Sequence, residues 1–375
     1  MENTVIIGVL GFIFSLLMLV FSAFLLTVKT NNKIGNILLA SELIITAIDC
    51  SAFFNHFLFD VNLTLDMLRI KLSGFKNPLL FLYVLSVIYS NFKLKKIHLV
   101  HLLPVFIGTA ILIPSFFLQD YDGKVAFYNN FKENPEIIFS TNLGRILSVA
   151  YFIASVYYVL RYRKLLLENH ADESNFKNYK WLKQYLILTL VGSVITISKG
   201  IVRDSGAFSE TTVERWRIFM LLFGMFFIFW LIFKALNTPK LFRGFDVSLK
   251  TSKEMETEVA EDADEEQIMN LKNYMIKEEP YLNPSLTIRN LAEQLKIPMR
   301  DLSVLINQEL QQHFFDFINE YRIEKAKKIL SDPSKSKVTV LEILYEVGFN
   351  SKSSFNTAFK KHTGKTPTQF RKSVV

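Results

Sequence analysis

The sequence predicts an all-α chain. A seven-span transmembrane helical bundle comes first, followed by a cytoplasmic domain of two helix-turn-helix units joined by a linker helix. Three observations predict this. Half of the 375 residues are apolar, only 21% are charged, and the mean hydropathy is +0.24 with 35 phenylalanines, values a soluble chain of this size rarely reaches. The apolar residues lie in long runs before residue 245, and no comparable run follows. In the last hundred residues, helical periodicity broken by Pro or Gly occurs twice in the same order.

Charge divides the chain the same way. Residues 1–245 are net +9, residues 246–266 net −7 and residues 267–375 net +6. This predicts a membrane part over 1–245, an acidic linker over 246–266 and a basic soluble domain over 267–375. The single cysteine, Cys50, excludes an intrachain disulfide and any zinc site needing two thiolates from this chain.

A helix needs ~20 apolar residues to cross ~30 Å of hydrocarbon. Seven segments qualify as candidates: 4–28, 36–59, 77–92, 97–118, 139–160, 182–201 and 216–236, the third being short. The first is read as a retained helix and not a signal peptide, because Glu2 precedes it and the basic Lys29 and Lys33 follow it. Lysine and arginine cluster in alternate loops: Lys93, Lys95 and Lys96; Arg161, Arg163 and Lys164; Lys234, Lys240 and Arg243. The opposite loops are mixed or acidic. The bias predicts an outer N-terminus and a cytoplasmic C-terminal domain, in a multi-pass protein of the bacterial cytoplasmic membrane.

Ionisable groups inside spans are costly and face the bundle interior. Glu42 and Asp49 share a face of span 2; Arg145 lies in span 5 and Lys199 in span 6. A rise of 1.5 Å per residue puts Asp49, Arg145 and Lys199 all at ~20–25 Å from the inner side. They are expected either to form a sensory polar cluster lining an outward pocket or to act as a structural ion pair. His98 and His101 have no partner carboxylate and read as interfacial. Pro104 and Pro114 kink span 4. No inverted repeat points to a transporter.

The acidic linker has no apolar face and is expected to be solvated, with an rms span of ~25 Å as a coil. In the C-terminal domain, Ile268, Leu271, Tyr274 and Met275 form one amphipathic set. Thr287 caps a helix with Leu291, Ala292 and Leu295 inward. Ile297–Pro298 turns the chain, and Leu302, Leu305 and Ile306 face inward on the next helix. A linker helix covers 314–330. Then Thr339 caps a helix with Leu341, Leu344 and Val347 inward, Gly348 supplies a positive-φ turn, and Ser351 caps a helix with Phe355 and Phe359 inward. Thr366 and Pro367 open the last helix.

FINEYRIEKAKKIL (317–330) and GFNSKSSFNTAFKKHTGKTPTQFR (348–371) resemble the DNA-binding domain of AraC/XylS-type regulators, over less than a third of the chain. The resemblance implies two recognition helices, 299–310 and 351–362, in successive major grooves of double-stranded DNA. Arg300, Ser303 and Val304 on the first, and Lys352, Ser353, Asn356 and Thr357 on the second, are then the base-facing residues. Lys360, Lys361 and Lys365 are assigned to phosphate. Three positions depart from the family pattern. Val304 replaces a long polar reader, Gln311 replaces a helix-ending glycine at ~1 kcal/mol, and Leu344 replaces a smaller residue.

Taken together, these features predict a membrane-anchored, one-component transcription regulator. Its bundle senses an unidentified small-molecule or membrane-borne signal in contact with lipid, and it acts as a homodimer on dyad DNA. The rival reading is a seven-span receptor or transporter whose basic tail makes protein or non-specific DNA contacts. The sequence holds no phosphate loop, nucleophile elbow or metal-ligand set, so an enzyme is not expected, and no cofactor is implied.

Overall fold

The structure is a computed structural model and describes residues 2–238, apart from Asn31, Phe59 and Ser90, and residues 265–374. Most of the acidic linker, and with it Lys240 and Arg243, lies outside the described residues. Among these the chain is helical throughout, with one isolated backbone bridge and no strand. It forms two compact units. The first is Met1–Val159 with Lys180–Ser248, and the second is Leu160–Tyr179 with Leu249–Val375.

The first unit contains α1 (Glu2–Thr27), α2 (Lys33–Cys50), α3 (Leu63–Leu72), α4 (Lys76–Ile88), α5 (Leu103–Ala110), α6 (Tyr121–Asn129), most of α7 (Pro135–Asn169), most of α8 (Lys177–Asp204) and α9 (Glu210–Asn237). α1 packs on α2 and α9, and α2 packs on α4. Small polar side chains stitch the first pair. Ser15 and Ser22 donate to the carbonyls of Ala47 and Ala40, and Asn36 donates to that of Leu25, at 3.1–3.3 Å. In an apolar surrounding such bonds to backbone carbonyls are a main source of helix association. Gly224 lets the Phe14 ring close on α9, since a Cβ there would lie 2.5 Å from it.

Among the described residues, five helices are long and apolar enough to cross a membrane: those at Asn3–Thr27, Lys33–Phe53, Pro135–Asn169, Lys177–Arg203 and Glu210–Asn237. They carry exposed apolar side chains such as Phe12, Leu16, Ile153, Phe229 and Phe233. Two of the seven expected spans fall short of this length. α4 has 13 residues, ~20 Å against ~30 Å of hydrocarbon. The fourth segment is divided into a 3₁₀ stretch at Lys96–Leu102, α5, and a π turn at Ile113–Phe117. Pro104 opens α5, and Pro114 removes an N–H within the π turn, so one uninterrupted helix cannot form. The expected loops at 60–76 and 119–138 contain α3 and α6, capped by Asn62 and Asp120. These caps begin helices too short to show a period in sequence.

The second unit contains α10 (Glu265–Glu278), α11 (Ile288–Leu295), α12 (Met299–Val304), α13 (Phe314–Ser331), α14 (Val340–Glu346), α15 (Lys352–Thr363) and α16 (Pro367–Val374). Thr287, Thr339 and Ser351 cap α11, α14 and α15 as expected. The 160–179 segment was expected with the membrane part, and it packs in this unit instead. Two cores meet along α13. Phe314, Phe317 and Ile318 close on Leu271, Leu291, Leu302, Leu305 and Ile306. Ile323, Ala326 and Leu330 close on Ile343, Leu344, Phe355 and Phe359.

Two backbone positions give tests. Gly348 has φ 89°, and an added Cβ would meet the Tyr281 and Leu282 carbonyl oxygens at 2.7 and 2.8 Å. Gly348→Ala is expected to destabilise the unit by about 3 kcal/mol, from left-handed strain plus overpacking, read as lost hydrogen-exchange protection of α13 amides in urea. Gln311 has φ 52°, so Gln311→Gly is expected to stabilise the unit by up to ~1 kcal/mol in the same measurement.

Candidate nucleic-acid interface

α11 and α12 form the first helix-turn-helix, and α14 and α15 the second. The first turn is closed by Lys296 at φ 57°, whose N–H returns to the Ala292 and Glu293 carbonyls. The second is closed by Gly348. The expected recognition helix at 299–310 is α-helical only to Val304, and Leu305–Glu309 widens into a π turn. Leu305 and Ile306 on that turn are both buried. The expected helix at 351–362 is found as α15, displaced by one residue.

The base-facing candidates on α15 are accessible: Lys352, Ser353 and Thr357 are exposed, and Asn356 is half-buried. On α12, Arg300, Ser303 and Val304 are all half-buried. They line one wall of a cleft of about 900 Å3, whose other walls include Lys164, Glu168, Asp316 and Lys361. Lys164 and Glu168 belong to the last turns of α7 and pair at 3.7 Å. Of the phosphate candidates, Lys360 is exposed, Lys361 pairs with Asp316, and Lys365 donates to Ser373 at 3.1 Å.

One buried cation ties the unit together. Arg322 is 1% exposed. It donates to the carbonyls of Tyr281 at 2.7 Å, Asn283 at 2.9 Å and Ala171 at 3.1 Å, and to the Asn319 side-chain oxygen at 3.3 Å. Its guanidinium also lies 5.4 Å from the centre of the Phe349 ring. Burial pulls its pKa down to about 10, so it stays charged at neutral pH. Close by, the Glu279 carboxylate accepts from Lys325 at 2.7 Å and from Tyr281 at 2.8 Å. These bonds hold its pKa below the usual glutamate value.

Residues 170–176 pack within the same unit. His170 bridges to Thr287 through the backbone, and the Ala171 N–H donates to the Leu286 carbonyl at 3.4 Å. Ala171 is buried in the core around α11, and the Phe176 ring meets Phe315 with centroids 5.5 Å apart. Asp172 accepts from the Asn350 amide at 3.0 Å, and Glu173 accepts from the Ser354 hydroxyl at 2.5 Å. No periodicity or motif singles out this segment, because its partners lie more than 100 residues away. Arg322 stands in a stretch already singled out, yet its charge reads there as a surface residue.

In the first unit, the expected cluster is only partly assembled. Asp49 takes its ion pairs from Arg69 at 3.1 Å and Lys76 at 2.8 Å, two residues sequence reading had placed in or beside a loop. Glu42 accepts from Thr46 at 3.3 Å and from the Tyr185 hydroxyl, within electrostatic reach of Lys76. Arg145 is exposed and stands apart, because it faces outward from α7. Lys199 is half-buried, within electrostatic reach of Asp49 but not its ion-pair partner. His101 meets the Tyr151 hydroxyl at 2.8 Å, and His98 accepts from the Lys95 backbone at 3.0 Å.

Residues 291–373 match a family described as "Helix-turn-helix domain". The chain is 33% identical over 88 residues to the melibiose operon regulatory protein of Escherichia coli (strain K12), covering 24% of this chain and 28% of that one. It is 50% identical over 56 residues, 15% of this chain and 31% of the other, to an HTH-type transcriptional regulator in the cgkA 5' region of Pseudoalteromonas carrageenovora. It is 28% identical over 90 residues, 24% and 31% of the two chains, to the Msm operon regulatory protein of Streptococcus mutans. The C-terminal domain of AraT, a response regulator from Geobacillus stearothermophilus, matches at 28% identity over 30% of this chain and 88% of that one, with a TM-score of 0.26. The chain spans less than a third of the length of the curated relatives. The helix-turn-helix family is matched by residues 291–373 of the second unit, and the curated relatives bear the names of regulatory proteins.

Arg322→Met is expected to destabilise the second unit by ~3 kcal/mol, since it leaves the buried Ala171 and Tyr281 carbonyls without their donor; thermal unfolding of the full chain in nanodiscs measures it. Arg322→Lys is expected to restore little, because one ammonium cannot reach carbonyls spread over a guanidinium fork. His170 gives a pH test. Burial lowers its pKa below 6.5, partly opposed by Asp172. The folded unit therefore favours the neutral ring. His170's contribution is complete above its ordinary pKa and is lost as pH falls from ~6.5 through the lower folded value. His170→Gln is expected to flatten that part of the stability profile.

Proposed function

We propose that this chain is a membrane-anchored, one-component transcription regulator of AraC type. A pair of helix-turn-helix units built on one shared helix carries this reading. α12 and α15 enter successive major grooves of double-stranded DNA, with Arg300, Ser303, Val304, Lys352, Ser353, Asn356 and Thr357 at base edges and Lys360, Lys361 and Lys365 at phosphate. A homodimer on a dyad site gains avidity from effective concentration when two anchored chains are held together.

The first unit is the anchor and sensor, an outer N-terminus and a cytoplasmic DNA-binding unit being the orientation that its lysine and arginine loops favour. The five long apolar helices support it. The two short segments, α4 and 96–117, either both cross or both stay on one side. In both cases the number of crossings is odd, so the termini lie on opposite sides. The segment between α7 and α8 then lies on the same side as the DNA-binding unit. Lipid and a small-molecule or membrane-borne signal are its partners. The Asp49, Lys76 and Glu42 network, reached electrostatically by Lys199, is its polar core.

Selection from a random duplex pool with the full chain in lipid nanodiscs tests the DNA reading. An enriched site bound at least ~10³-fold tighter than scrambled DNA is expected. Equal affinities with equal salt slopes would instead fit a receptor with a phosphate-binding tail. On the enriched site, Lys352→Ala is expected to cost ~1–3 kcal/mol and relax preference at one position. Lys360→Ala is expected to weaken all sequences alike and reduce the salt slope by about 1.

A further inference from the structure

We propose that the Leu160–Tyr179 segment is an internal competitor of DNA: it binds across both recognition helices of its own DNA-binding unit, and DNA must displace its polar arms. The inference rests on the DNA-binding reading above and names how that site is regulated.

The segment has an anchor and two arms. The anchor is His170, Ala171 and Phe176, held by backbone pairing, by burial in the core around α11 and by Arg322. One arm is Asp172 and Glu173. Their carboxylates bond Asn350 and Ser354 at the start of α15, where the helix dipole and free N–H groups favour an anion. A DNA phosphate carries the same charge and seeks the same kind of position. The other arm is the end of α7. Lys164 and Glu168 line the same cleft as Arg300, Ser303 and Val304, and these three base-facing candidates are half-buried.

DNA phosphate drawn to the start of α15, and DNA engaged by α12, need the charge positions and the space that these arms occupy. Two negative charges at α15 also oppose a polyanion directly. The anchor keeps the competitor local, so release is intramolecular and reversible. Because the segment is the covalent connection between α7 and α8, a relative displacement of those two helices moves the arms without any diffusible partner.

The test uses the full chain in lipid nanodiscs and the duplex enriched above. Glu173→Asp keeps the charge but draws the carboxylate back by one methylene, away from Ser354. It is expected to tighten DNA binding ~10-fold, the size of one lost charge-assisted hydrogen bond. Asp172→Cys with Asn350→Cys, in a Cys50→Ser background, allows the arm to be tied to α15 by a short cleavable thiol cross-linker. The tied form is expected to lose DNA binding at least 10-fold, and cleavage is expected to restore it. Equal affinity of wild type, Glu173→Asp and the tied form, with an enriched site still bound, would overturn the competitor and leave the DNA reading intact. Failure of wild type and Glu173→Asp alike to enrich any sequence would overturn the DNA reading and the competitor with it.

Discussion

The second unit depends on one buried guanidinium. Arg322 donates to three backbone carbonyls from two separate stretches of chain, Ala171 in one and Tyr281 and Asn283 in the other, and lies against the ring of Phe349. The Asn283 oxygen also accepts from the Leu286 N–H at 3.2 Å, whereas the buried Ala171 and Tyr281 oxygens would each lose their donor with the guanidinium, at a cost of ~1–3 kcal/mol each. A planar fork with five donors meets several acceptors at once. A single side chain thus sets where the entry to α11, the turn before α15 and the 170–176 segment meet.

Much of the DNA-binding unit was legible in the sequence because its determinants are local. Thr287, Thr339 and Ser351 cap helices whose apolar faces repeat every three to four residues. Gly348 and Gln311 both take the positive φ that their positions implied. Long-range partners were not legible. Nothing near Arg322 in sequence announces a carbonyl 151 residues away, and nothing near Asp172 announces Asn350. The widening of Leu305–Glu309 into a π turn also escaped, because the apolar positions Leu305 and Ile306 satisfy either winding.

In the first unit, composition carried the reading further than residue placement did. Hydropathy located the five long helices but not all of their ends, the segments 36–59 and 139–160 being found as Lys33–Cys50 and Pro135–Asn169. It overestimated α4 and the Pro104–Pro114 segment, where the backbone is interrupted although the side chains remain apolar. Equal depth did not imply contact among the ionisable groups. Asp49 found Arg69 and Lys76, whereas Arg145, on a different helix face, stayed outside. Depth constrains one coordinate, and helix rotation, which a single span does not reveal, decides the others.

α13 belongs to both cores of the DNA-binding unit: Phe314, Phe317 and Ile318 to one, Ile323, Ala326 and Leu330 to the other. A helix shared in this way acts as a ruler. Inserting one residue between Ile318 and Ile323 would turn one half against the other by ~100° and lengthen it by ~1.5 Å, burying polar faces and exposing apolar ones. The angular offset between the two recognition helices is therefore written into the length of α13. On the proposed reading, sequence drift can change which bases they read far more easily than how far apart they read them.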